Sequence, residues 1–229
     1  RGSLAANTTA SYNVAVGGEA LASNTTGSDN IAIGYKAFYT NTTGYESVAI
    51  GWKTLYSNTT GYKNSAIGFE ALYANTTGTY NTACGEFALF SNTTGYENTA
   101  VGESSLYDCT TGTMNSGFGG ETLKNITDGV ANTACGYASG SDITTGDYNT
   151  CLGNNAETSS GTVDIEISIG HNAVGKGTQT AFIGGTSGTY NGKNVTTFET
   201  TSDRRIKKDI VDNNVGLDII EQLQVRNFE

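Results

Sequence analysis

Asn64-Ser65-Ala66-Ile67-Gly68, Asn81-Thr82-Ala83-Cys84-Gly85 and Asn98-Thr99-Ala100-Val101-Gly102 are one phrase written three times, each copy 17 residues after the last. The glycine that ends it belongs to a longer series: Gly17, Gly34, Gly51, Gly68, Gly85, Gly102, Gly119, Gly136, Gly153 and Gly170. A second phrase, Asn-Thr-Thr-Gly, falls between these glycines at 24–27, 41–44, 58–61, 75–78 and 92–95. A strict short period means that each unit is one supersecondary step, which buries its apolar side only against its neighbours. The chain is therefore expected to be a rod built by stacking.

With the phased glycine as position zero, positions −4 to −1 form a short run rich in β-branched residues that ends at Gly. Glycine permits the sharp bend that a Cβ would resist. Positions +3 to +5 read Ala71-Leu72-Tyr73, with Ala37-Phe38-Tyr39 and Ala88-Leu89-Phe90 as variants, and suggest a second short strand. Asn-Thr-Thr-Gly then supplies turn chemistry. No 3.6-residue period appears, so helical repeats are excluded. The fold class expected is all-β: a parallel β-solenoid, or β-roll, with one 17-residue repeat per coil. Ten rungs about 4.8 Å apart make a shaft roughly 50 Å long. On the second strand, Leu72 and Tyr73 would point to opposite faces. One column then faces inward and the other leaves an apolar stripe outside, either an interface or a row of half-exposed tyrosines.

Composition narrows the classes. Only 36% of the 229 residues are hydrophobic while Gly numbers 31, which fits a thin core and no thick globular one. Proline is absent, so no backbone donor is missing from the ladders. A net charge of −10, from 12 basic and 22 acidic residues, argues against nucleic acid as a partner. No apolar run is long enough to be a membrane-spanning helix, and no signal peptide is visible. Arg1-Gly2-Ser3 has the look of residual vector sequence. Cys84 and Cys135 share position −1 three repeats apart, roughly 14 Å along the stack, too far for a disulfide. Cys151 replaces the small Ala of position −2, and Cys109 the Asn of Asn-Thr-Thr-Gly. All four are expected to be free thiols, mostly filling packing columns.

The phrase Asn-x-Ala-Ile-Gly-x-x-Ala-Leu resembles the YadA-like head of trimeric autotransporter adhesins and the related β-rolls of phage tail fibres. Their common period is fourteen, a spacing seen here once, from Ile169-Gly170-His171-Asn172-Ala173-Val174-Gly175 to Ala181-Phe182-Ile183-Gly184. The resemblance covers residues 11–184 and implies a left-handed roll assembled as a homotrimer, so that the partners are two identical chains. A second resemblance follows the repeats. Thr201-Ser202-Asp203-Arg204-Arg205-Ile206-Lys207-Lys208-Asp209-Ile210 is similar to the start of the endosialidase-type intramolecular chaperone domain of phage tail fibres and tailspikes. In that family the chain is cut just before the serine, after the chaperone has trimerised the fibre. The likeness implies cleavage between Thr201 and Ser202, with Ser202 as nucleophile, Lys207 as base, and Asp203, Arg204 and Ile210 shaping the site. The competing interpretation of Arg204–Lys208 is a solvated basic turn.

Four segments follow: a leading edge at 1–10, a repeat shaft at 11–185, a transition at 186–201, and the N-terminal part of a chaperone at 202–229. The last is expected to mix strand and helix, Asn213 or Asn214 capping a helix that carries Leu217, Ile220 and Leu223 on one face. Too short for the family domain, this piece is not expected to cleave itself. His171 is the sole histidine, which excludes a Ser-His-Asp triad and a histidine metal cluster within one chain. No cofactor, metal or enzymatic activity is expected beyond self-cleavage of a longer precursor. Adjacent threonines such as Thr59-Thr60 do not suit an ice-binding array, which needs both on one face. The function expected is the structural and adhesive shaft of a trimeric tail fibre, located in the virion and supporting attachment to a host-surface glycan or protein receptor. The alternatives are the head of a bacterial trimeric surface adhesin and an ice- or glycan-binding solenoid.

Overall fold

The computed structural model describes residues 2–185, 188–191 and 199–200. Among these residues the protein is all-β, a solenoid in which each repeat makes one coil. Its strands are β1 (Val14–Val16), β2 (Ile31–Ile33), β3 (Val48–Ile50), β4 (Ser65–Ile67), β5 (Thr82–Cys84), β6 (Thr99–Val101) and β7 (Ser116–Phe118). They continue as β8 (Thr133–Cys135), β9 (Thr150–Leu152), β10 (Ile167–Ile169), β11 (Ala181–Gly184), β12 (Gly188–Asn191) and β13 (Glu199–Thr200). All lie in one sheet in chain order. Strands β1 to β11 pair in parallel, each residue opposite its equivalent one repeat away, as in Ala66↔Ala83. At the end the direction reverses: β12 pairs antiparallel with β11, and β13 with β12. The fourteen-residue step at Gly170–Gly184 stacks in the same register, Ile167↔Ala181 to Ile169↔Ile183.

Phased glycines lie next to one another, as one coil per repeat requires. A Cβ on Gly68, whose φ is +140°, would sit 2.3 Å from the carbonyl oxygen of Gly85. The position demands glycine twice over, for its backbone conformation and for the approach of the next coil.

The expected second strand is absent. Residues 69–74 are turns, and the reason lies in the sign of φ: Glu70 is at +51° and Leu72 at +52°, with their equivalents alike in most coils. A strand sends alternate residues to opposite faces. Here Ala71 and Leu72 are adjacent and both fully buried, because the left-handed residues turn the chain back inward between them. A left-handed bulky residue costs roughly 1–2 kcal/mol, while burying a leucine contributes about 1.5–3 kcal/mol. Main-chain pairing survives the turn as well: Leu72 N–H donates to the Ala88 carbonyl at 3.0 Å, and Ala74 N–H to Phe90 at 3.0 Å.

The core is a set of thin columns. Ala66, Ala83 and Ala100 line the inner face of the sheet, and Leu55, Leu72 and Leu89 fill the opposite wall. Two asparagine columns run through the interior beside them. At position −4, Asn81 N–H donates to Asn64 Oδ1 at 3.0 Å and Asn98 N–H to Asn81 Oδ1 at 3.0 Å. In the Asn-Thr-Thr-Gly turn, Asn58 Nδ2 donates to Asn41 Oδ1 and to the Gly61 carbonyl, both at 3.0 Å, and Asn75 Nδ2 donates to Asn58 Oδ1 at 2.7 Å. An amide side chain carries both donor and acceptor, so a column of them satisfies itself. This explains how so polar a chain fills its inside, since buried polar groups must be paired.

Candidate functional surface

Strands of three residues with a buried centre leave two outward columns. Positions −3 and −1 carry Val14, Val16, Ile31, Ile33, Ile67, Phe118, Ile167 and Ile183, all exposed, on the outer face of β1 to β11. Exposure runs from 37% at Ile31 to 56% at Val16. Position −1 is apolar in every coil and makes a strip running the length of the solenoid, while position −3 is Ser or Thr from β4 to β9, as at Ser65, Thr82 and Thr150. Contiguous strips of this kind mark contact surfaces. Toward the C-terminal end the strip dips into an open depression of about 310 Å³ lined by Tyr148, Thr150, Ile165, Ile167, Gln179, Thr180 and Ala181.

The tyrosine column at position +5 behaves differently. Tyr39, Tyr56, Tyr73, Phe90 and Tyr107 are half-buried and stack face to face with centroids 5.3, 5.2, 5.2 and 5.1 Å apart. Each ring face within the stack is covered by the next ring, leaving edges to solvent. A sugar ring stacks on a free aromatic face, so this ladder offers little to a glycan. The more extensive open apolar surface is the sheet's outer face, built from the run whose Val, Ile and Cys residues precede each glycine.

Cysteines divide between the two environments. Cys84 and Cys135 are exposed on the outer strip and do not fill the packing columns expected of them, because position −1 points outward. Cys109 and Cys151 are buried, and burial pushes both thiols up to about 12. All four are free, as expected.

Glu166 takes the place of asparagine at the foot of the −4 column and is fully buried. Its N–H donates to Asn149 Oδ1 at 2.9 Å, while its carboxylate accepts from Ser159 N–H at 2.8 Å, Ser159 Oγ at 3.0 Å and Gly177 N–H at 2.6 Å. An acceptor-only group suits this point, where the coil shortens to fourteen residues and turn N–H groups face inward. Nearby, burial raises the carboxyl of Asp142 above its ordinary range, although Thr158 donates to it through Oγ1 at 2.6 Å and N–H at 3.2 Å. Among the described residues no three His, Cys, Asp or Glu side chains converge as metal ligands.

His171 is exposed and touches Asn172 at 3.1 Å. Only the second threonine of each turn pair is exposed, as at Thr60. The first, Thr59, is half-buried and donates its hydroxyl to the Thr76 carbonyl at 3.1 Å. Thr201, Ser202, Asp203, Arg204, Lys207 and Ile210 lie outside the described residues, as do Asn213, Asn214, Leu217, Ile220 and Leu223.

No protein-family model matches this chain, and neither a curated protein nor a solved structure shows significant similarity to it.

Proposed function

We propose that this chain is the shaft of a trimeric viral tail fibre that carries a host-binding part away from the particle. The observation that carries the proposal is the run Ser202-Asp203-Arg204-Arg205-Ile206-Lys207-Lys208-Asp209-Ile210 downstream of a β-solenoid, the order found in fibres matured by a self-cleaving chaperone. Supporting it are the unbroken stack of coils, which makes a spacer rather than a pocket, and the outer apolar strip, which needs covering. Two further copies cover it, with the coils wound left-handed. Light scattering should return about three times 23.8 kDa. A longer chain that continues through the downstream residues should be cut between Thr201 and Ser202, and Ser202→Ala should abolish the cut. Mass spectrometry reads the new ends, and full cleavage in that variant would refute the assignment.

The head of a bacterial trimeric adhesin is the second proposal, favoured by the fourteen-residue coil from Gly170 to Gly184. It predicts the same assembly without any cut at Ser202.

A further inference from the structure

The apolar −1 column by itself does not say how a partner is aligned, because each rung carries Val, Ile, Leu, Phe or Cys there. Charges beside it do. Just before the strands, position +12 carries Asp29, Glu46 and Lys63, all exposed. Just after them, position +2 carries Lys36, Lys53 and Glu70. The two columns are opposite in sign on each of these rungs, and both invert at the same one. No other described rung has a charge at both positions.

We infer that the strip binds a second copy of the same chain, parallel and level with the first, so that Asp29, Glu46 and Lys63 of one copy face Lys36, Lys53 and Glu70 of the other. The inference rests on the proposed association of identical chains and adds its direction and register. When copies are arranged around an axis parallel to the rod, the edge that precedes the strands meets the edge that follows them in a neighbour. A level arrangement makes all three facing pairs attractive. A shift of one rung sets Glu46 against Glu70 in one direction and Lys63 against Lys53 in the other, and in both only one attractive pair remains among these positions. Full antiparallel overlap of the eleven parallel strands would bring Glu97 against Glu97 and leave Asp29, Glu46 and Lys63 opposite Ile165, Tyr148 and Ala131. One rung works against the level arrangement: Glu97 is followed by Glu103 at position +1.

Within one chain these groups are paired loosely, Glu19 with Lys36 at 3.7 Å, Glu46 with Lys63 at 3.7 Å and Lys53 with Glu70 at 3.8 Å. Such surface pairs contribute little; Glu46 and Lys63 are exposed, while Lys36, Lys53 and Glu70 are half-buried, with the Lys53 ammonium 4.1 Å from the Trp52 ring centre. Together Glu46, Lys63, Lys53 and Glu70 form a checkerboard across the contact, in which both the neighbour along the column and the neighbour across it are opposite in sign. Opposite charges in register penalise wrong alignments more than they raise raw affinity.

The test uses two double variants and their combination, in sedimentation velocity at low salt with folding checked by circular dichroism. E46K/K63E and K53E/E70K each keep their intrachain pair with signs exchanged, but each turns the facing pairs repulsive. Each should weaken self-association roughly tenfold or more, and the quadruple variant should recover to within about threefold of the original chain. If a double fails to fold, E46Q/K63Q replaces it, with a weakening of about threefold expected. Doubles that associate as tightly as the original chain, or a folded quadruple that stays as weak as the doubles, overturn the register while leaving association standing. An original chain that is monomeric at micromolar concentration overturns the association and the register together.

Discussion

Asn58→Ile and Cys109→Ile place one side chain at one position of the repeat, yet their effects on stability should differ by about 2 kcal/mol or more. Asn58 sits inside the asparagine column and makes three amide bonds, donating to Asn41 Oδ1 and the Gly61 carbonyl and accepting from Asn75 Nδ2. Its loss leaves the Asn41 oxygen with only Gly44 N–H, at 3.1 Å, and the Asn75 amide nitrogen with only the Gly78 carbonyl, at 3.1 Å. The Gly61 carbonyl fares worse. In neighbouring coils the asparagine of position −4 also reaches this carbonyl, as Asn64 Nδ2 reaches Gly78 at 2.8 Å, but here that position is Ser47, which donates to the Tyr45 carbonyl. An orphaned buried carbonyl costs about 1–3 kcal/mol and each lost bond about 0.5–1.5 kcal/mol. Burying the isoleucine methyl groups offsets roughly 1–2 kcal/mol of this.

At Cys109 the column has already ended: Asn92 Oδ1 is buried without a partner, and the next two occupants are Ile126 and Ile143. The Gly112 carbonyl keeps its donor, Asn98 Nδ2 at 2.8 Å. Cys109→Ile should therefore lie within about 1 kcal/mol of the original chain. Urea unfolding followed by far-ultraviolet circular dichroism, at fixed protein concentration, gives both values. Equal effects for the two substitutions would refute the idea that amide columns stabilise the interior as units.

Gly68→Ala combines a left-handed φ with a carbonyl 2.3 Å from the new Cβ, and should cost about 3 kcal/mol or prevent folding. Gly18→Ala, which meets only the Tyr35 ring at 3.3 Å, should stay within about 1 kcal/mol in the same urea titration. Cys109 and Cys151, with thiols pushed up to about 12, should resist a disulfide reagent at pH 8 until urea unfolds the chain. Cys84 and Cys135 should react in the separate chain and slow as chains associate. Asp142 has a folded pKa raised above its ordinary 3.8, so its contribution is present below that value and is lost as pH rises through the folded one. Asp142→Asn should then raise the urea midpoint at pH 7 and leave it little changed at pH 3. An equal shift at both would assign the effect to packing instead of charge.

The stacking order and the register of the seventeen-residue coils were legible from the glycine series, because an exact period leaves one way to place equivalents side by side. The turn at 69–74 was not. Ala71-Leu72-Tyr73 has strand-forming side chains, and left-handed φ values normally announce themselves through Gly or Asn; here Glu70 and Leu72 adopt them. What forces them is the closure of a narrow coil, a tertiary constraint invisible to local propensity. The outer strip was missed for the same reason. A second strand would place the exposed stripe at Tyr73, where the rings are half-buried, instead of at Ile67. The interior role of the asparagines left a trace that turn chemistry obscured, since Asn58, Asn75 and Asn92 recur unchanged while Tyr56, Tyr73 and Phe90 vary. The residues of the cleavage motif are not reached by the described part of the chain, so Ser202 and Lys207 rest on sequence alone.

The hydrogen bonds between coils have a mechanical consequence. They link each coil only to the ones directly above and below, as Val48 N–H to the Asn64 carbonyl at 2.8 Å and Gly51 N–H to Ile33 at 2.8 Å. A pull on the two ends of a lone chain thus loads its junctions in series, and the end coil peels away while those behind it feel no more than the same small force. Strands pulled along their length resist together; coils pulled apart yield one at a time. A single solenoid of this kind is stiff against bending but unravels under tension. To bear a tether's load it must share that load sideways.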